Sequence, residues 1–205
     1  LSALVDEVDS VLGKQHLLKL SLLLIKAWWF YESRADTTGH GPLPSYLGES
    51  ALTTMVLAIF NEHHARINFP LQALAIFLSV YASFPWDRWC CTIQGPVPLY
   101  SPLTAREAAP GHLISAEILR KFPRQAPRGQ QDHEFPVRAM NVMHPTRATV
   151  NLISDRASQR SQRISSCFRT AAQQLRPSVS YLRGKDTYAT SVAFLDTFFT
   201  RTLKR

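Results

Sequence analysis

The chain has 205 residues, 45% of them hydrophobic and 19% charged, which is enough to bury one sizeable core, so a single domain over residues 1–205 is expected. With 23 Lys and Arg against 15 Asp and Glu, the net charge is +8 and the pI near 9.8, favouring polyanionic partners such as RNA, a nucleotide or anionic lipid. Three cysteines, two of them adjacent at Cys90 and Cys91, exclude a disulfide framework and a CxxC zinc site and fit a reducing intracellular compartment.

The chain opens on Leu1, and Val5, Asp6 and Glu7 lead straight into a helical pattern with no signal or transit peptide, as expected for part of something longer. Asp6 and Asp9 read as exposed acids of this first helix, suited to its dipole. Residues 15–34 form a helix that is apolar almost all round, yet Lys19 and Lys26 are seven apart and lie about 20° from each other on one face. The apolar run inside it, 17–31, is too short for a membrane span and carries both lysines. Gly39, Gly41, Pro42, Pro44 and Gly48 make residues 37–48 a loop. Ser50 is placed to N-cap a second core helix with Leu52, Met55, Val56, Ile59 and Phe60 at helical spacing.

Asn68 and Pro70 signal a third helix, continued by Leu71, Leu74, Phe77, Leu78 and Tyr81 and stopped at Pro85. Residues 89–93 are short and β-prone, a small strand or an extended connection. Residues 96–111 read as loop, 112–122 as a weak helix and 123–134 as a polar connection. Residues 135–142 read as extended. From Arg156 onward, Ile164, Cys167, Phe168, Ala171, Ala172 and Leu175 mark one long amphipathic helix ended by Pro177, its far side carrying Arg156, Arg160 and Arg163. A terminal helix over 188–203 would bury Val192, Leu195, Phe198 and Phe199. The fold class is therefore mainly α, a helical bundle with at most a few short strands.

The residues supply no complete catalytic centre. Asn61, Glu62, His63 and His64 are not HExxH, because adjacent histidines point about 100° apart on a helix. There is no Asp-x-Asp pair, phosphate-cradling glycine loop or GxSxG elbow. Two basic groups remain, Lys19 with Lys26 and Arg156 with Arg160 and Arg163, suited to phosphate contacts unless each is a solvated helix face. Trp28, Trp29, Phe30 and Tyr31 offer a stacking surface for a base, or, on so apolar a helix, core packing.

Residues 16–34, with Lys19, Lys26, Trp28, Trp29 and Tyr31, resemble the helix that opens the second domain of poly(A)-polymerase-like nucleotidyltransferases, closest to the plant-type group. The likeness continues through 51–60 and through Phe84, Trp86, Asp87, Gly95, Pro96 and Val97, where the family has a similar Phe-x-Trp-Asp … Gly-Pro-Val run. Residues 135–145, then Asn151, Leu152, Arg163, Ile164 and Phe168, look like its nucleotide-recognition segment and following helix. Together these blocks cover most of residues 4–176. Lys26 matches the family lysine that reaches the triphosphate, Lys19 a neighbouring basic position, and Asn151 the surviving residue of an Asn-rich run.

There are departures. His144 and Pro145 stand for the family's Asp-Pro, and its Gly-Arg-Ser is absent from 149–155. Ser50 stands for a tyrosine, unless the residues around Ser45 and Tyr46 shift the register. In that family the catalytic residues sit in a separate domain whose aspartates hold two metal ions. The resemblance therefore implies no catalytic residue and no metal ligand in this chain, with Mg2+ and a nucleoside triphosphate engaged only where an upstream catalytic domain supplies the carboxylates. The function expected is nucleotide or RNA binding within a nucleotidyltransferase-like protein. The alternatives are a non-catalytic basic scaffold among the subunits of a ribonucleoprotein and a protein-interaction module.

Overall fold

The computed structural model describes residues 1–34, 46–100, 109–123, 135–181 and 196–200. The expected loops over 37–45, 101–108 and 124–134, and most of the expected C-terminal helix, lie outside the described residues. Helix α1 (Ser2–Leu12) is followed by α2 (Leu17–Tyr31), whose last turn tightens into a 3-10 turn, Glu32–Arg34. Then come α3 (Glu49–His63) and α4 (Pro70–Ala82), separated by a 3-10 turn at His64–Arg66. The hairpin β1 (Trp89–Thr92) and β2 (Gly95–Pro98) leads to the short α5 (Ala116–Lys121). A second hairpin, β3 (Met143–His144) and β4 (Arg147–Asn151), precedes α6 (Asp155–Ser158) and the long α7 (Ser161–Tyr181). The chain is mainly α with two small antiparallel pairs, as its periodicities require.

One core joins these elements, and aromatic rings occupy its centre. Phe168 of α7 lies 5.6 Å from Trp29 of α2 and 5.6 Å from Phe77 of α4, edge-on to the latter. Trp28 is 6.1 Å from Phe168. One ring thus holds three helices together, and such contacts add to the area they bury. Tyr81 stacks on Trp86 at 5.6 Å, and its hydroxyl donates to the Met55 carbonyl at 2.9 Å, fastening α4 to α3. Trp28 and Trp29 are core, so of the four aromatics proposed as a stacking surface only Phe30 and Tyr31 reach the outside. Among the described residues no single helix is long and apolar enough to cross a membrane.

Several local expectations are overturned. Asp9 is not an exposed acid: its side chain is 3% exposed, and its carboxylate accepts the Leu18 amide at 3.2 Å and Nδ1 of His16 at 2.9 Å. It caps the start of α2 from the preceding helix, because the turn through Gly13 and His16, both at positive φ, folds α2 back onto α1. Ser50 lies inside α3, whose N-cap is Gly48. Residues 96–98 are a strand rather than loop. Among the described residues they pair with β1 alone, in the register Trp89↔Pro98 and Cys91↔Pro96, and an edge position tolerates prolines that cannot donate.

Residues 135–142 form no regular strand; the pairing occurs one step later, in β3 and β4. The expected long helix from Arg156 is two helices. Ser154 caps α6 by accepting the Ala157 amide, and the Ser158 hydroxyl accepts the Ala139 amide at 2.9 Å. The chain is thereby held in a tight turn, with the Arg160 amide on the Ala157 carbonyl, before α7 begins. Pro177 does not end α7, which runs on to Tyr181. Of residues 188–203 only 196–200 are described, and there Phe198 and Phe199 are buried, their rings 4.9 Å apart.

Candidate functional site

Helix α2 turns its indoles inward and its lysines outward. Leu20, Leu23 and Phe30 are exposed along the outer side, with Leu23 the most so at 67% and Phe30 at 45%, and Lys19 and Lys26 lie half-buried beside them. Seven residues correspond to about 10.5 Å of helix rise, so the two ammonium groups serve separate points along one face.

Both lysines already hold carboxylates. Lys19 contacts Asp6 at 2.8 Å and Asp9 at 3.9 Å, and the Asp6 hydrogen bond, with the Asp6 charge added, holds its ammonium above the ordinary value against a smaller desolvation effect. Lys26 donates to Oε1 of Glu49 at 2.5 Å. That hydrogen bond first, and the Lys26 charge second, hold the Glu49 carboxyl below its ordinary value. Glu49 is the first residue of α3, where a carboxylate also meets the positive end of the helix dipole.

The segment resembling the recognition element is built around two buried asparagines. Asn151 Nδ2 donates to the Pro136 carbonyl at 3.0 Å and to Oδ1 of Asn141 at 3.0 Å, while its Oδ1 accepts the amides of Val142 and Ile153. Asn141 in turn donates to the Trp86 carbonyl and accepts the Arg138 amide at 2.8 Å. The Cys91 amide reaches the Asn141 carbonyl at 2.8 Å, joining this segment to β1. Asn151 thus sits at the centre of the loop that shapes the segment, with its amide engaged on both sides. His144 accepts the Thr146 amide at Nδ1, which leaves its proton on Nε2. Burial, and then the Arg147 charge, lower its pKa, and this imidazole stands where the resemblance implies a carboxylate.

The three arginines do not form one stripe. Arg156 is exposed on α6, Arg160 lies in the link, and Arg163 is half-buried in the first turn of α7, near Cys167. Among the described residues Arg156 and Arg160 lie in no ion pair, whereas Arg138 binds Asp155 at 2.7 Å and the Ile153 carbonyl at 2.7 Å. The Asn61–His64 run is structural at its head: Asn61 is buried, its Oδ1 accepts the Ile114 amide at 2.7 Å and its carbonyl the Leu113 amide at 3.1 Å. Among the described residues no group of three or more His, Cys, Asp or Glu converges as a metal site.

Sequence reasoning did not find Glu49, Asn141 or Arg138. Each acts across elements, with partners 10 to 23 positions away, and no short motif carries that pairing.

No curated protein and no solved structure matches the chain. The family described as PAP/OAS1 substrate-binding domain matches residues 12–203, a span that takes in α2 with both lysines, the paired asparagines and all of α7. The chain belongs to the PAP/OAS1 substrate-binding domain family.

Proposed function

We propose that this chain is the helical, nucleotide-contacting part of a nucleotidyltransferase-like protein of the plant-type group, following a catalytic domain in the full protein and inert without it. Lys26, with Lys19 further along the same face, receives the phosphates of a nucleoside triphosphate. Arg156, Arg160 and Arg163 receive phosphates of an RNA chain, and Asn151 positions the recognition segment. The observation that carries this is Lys26 itself: it belongs to a largely apolar helix, reaches the surface, and already holds an anionic oxygen at 2.5 Å. A phosphate oxygen makes the same charge-assisted bond.

Among the described residues no group of three or more His, Cys, Asp or Glu is placed to hold Mg2+. Asp6 and Asp9, the acids beside Lys19, are engaged by Lys19, His16 and the Leu18 amide, so no step through a metal is assigned to this chain. The test is binding of a nucleoside triphosphate and of single-stranded RNA as salt is raised. Lys26→Ala should weaken triphosphate binding about tenfold or more, and Arg156→Ala should lower the salt slope for RNA by about 1. Undiminished binding in both variants refutes the assignment.

A second reading keeps the fold and drops the chemistry, making the domain a basic scaffold within a ribonucleoprotein. It is favoured by His144 at the acid's position and by Lys19 and Lys26 being already paired. Recovery of the native protein with stoichiometric RNA and many other proteins supports this reading, and recovery as a free nucleotide-binding protein opposes it.

A further inference from the structure

We infer that Glu49 is an intramolecular stand-in for phosphate, holding Lys26 in the ligand-free chain and setting how strongly an anionic ligand must compete to reach it. The inference rests on Lys26 being the phosphate contact. Its own ground is the difference between the two lysine pairs of α2. Lys19 holds an exposed carboxylate too, Asp6 at 2.8 Å, but it is also flanked at 3.9 Å by Asp9, whose carboxylate binds the Leu18 amide and His16 and is 3% exposed, so a fixed negative charge stays beside Lys19 even when Asp6 swings away. Glu49 is 79% exposed, and Lys26, 29% exposed, is its ion-pair partner.

An exposed pair of this kind contributes little to stability, and the Glu49 carboxylate is free to swing into water when another anion arrives. Its place at the first position of α3, under a glycine N-cap with no side-chain cap, sets it where positive potential from the helix and from Lys26 adds up. A polyphosphate entering that position gains the Lys26 ammonium and meets the displaced carboxylate as a like charge. Glu49 therefore selects against weakly charged anions and lowers affinity for all of them.

The experiment is titration calorimetry of the full chain with inorganic triphosphate at low salt, comparing the wild type with Glu49→Gln, Lys26→Ala and the double variant. Glu7→Gln serves as a charge-matched control, since it removes one negative charge from a different pair, that with Lys121. Glu49→Gln should bind about tenfold tighter than wild type. Glu7→Gln should stay within about twofold, and Glu49→Gln should confer no gain once Lys26 is alanine. If Glu49→Gln matches wild type while Lys26→Ala abolishes binding, Glu49 is no competitor and the Lys26 assignment stands. An equal gain in Glu7→Gln shows a net-charge effect and overturns the inference. Absence of binding in every variant, or binding indifferent to Lys26→Ala, overturns the Lys26 assignment and the inference together.

Discussion

Replacing Asp9 by alanine should destabilise the protein more than any other acidic substitution in the first helix. The carboxylate is the acceptor for the Leu18 amide at 3.2 Å in a buried setting, and it also binds His16 at 2.9 Å. A hydrogen bond to a charged group contributes about 1.5–3 kcal/mol net, and losing a helix cap costs about 0.5–2 kcal/mol. These are two descriptions of one interaction, so they are not summed, and about 2–3 kcal/mol is expected. For a chain of this size each kcal/mol lowers the melting temperature by about 2–4 °C, giving a loss of about 4–12 °C. Asp9→Asn keeps an oxygen acceptor and should lose about half as much. Asp6→Ala, at an acid 58% exposed and paired with Lys19 at the surface, should cost under about 1 kcal/mol. Thermal unfolding followed by far-UV circular dichroism measures all three. If Asp9→Ala and Asp6→Ala melt within 1–2 °C of each other, the capping argument is wrong.

Phe168→Ala should cost about 3–5 kcal/mol, because the buried ring packs among Trp28, Trp29, Phe77 and Tyr81; a urea midpoint unchanged from wild type would contradict the packing described. Burial is the first cause of the lowered pKa of both His63 and His144. The unfolded chain therefore binds more protons than the folded one just below 6.5, the ordinary histidine value. Stability should be full above that pH and fall as pH drops through the folded-state values. The His63→Gln, His144→Gln double variant should flatten the decline in urea midpoint between about pH 7 and 5, and a slope equal to wild type would count against burial as its cause.

The core helices were legible because their period is long and regular: Met55, Val56, Ile59 and Phe60 on α3, and Leu74, Phe77, Leu78 and Tyr81 on α4, are all buried as their spacing requires. What failed was set by distant partners. Asp9 looks like any surface acid until the turn through Gly13 brings the next helix over it. Residues 154–163 carry no Pro or Gly to mark a break, but the Ser158 bond to the Ala139 amide holds the chain in a turn after α6 and leaves Arg160 in a link. Pairing in β3 and β4 went unseen because two strands of two and five residues show too little alternation, and the buried Asn141–Asn151 bond that supports them joins positions ten apart. At the candidate site the lysines could be named from their spacing on α2. Glu49, 23 positions further on and across an unrelated loop, could not.

The crowded aromatic centre gives the protein a built-in optical probe. Three of its four tryptophans, Trp28, Trp29 and Trp86, are shielded from water, and Trp86 lies against Tyr81 with the rings 21° from parallel. Emission from the folded chain should be shifted to the blue, and tyrosine excitation should pass efficiently to Trp86. Loss of the packing around Phe168 would move the emission to longer wavelength. Under the proposed function, anions would exchange at Lys26, on the outward side of α2 and away from these buried indoles. Fluorescence therefore follows the integrity of the interior, and calorimetry follows the surface site, so the two can be measured on one sample without interfering.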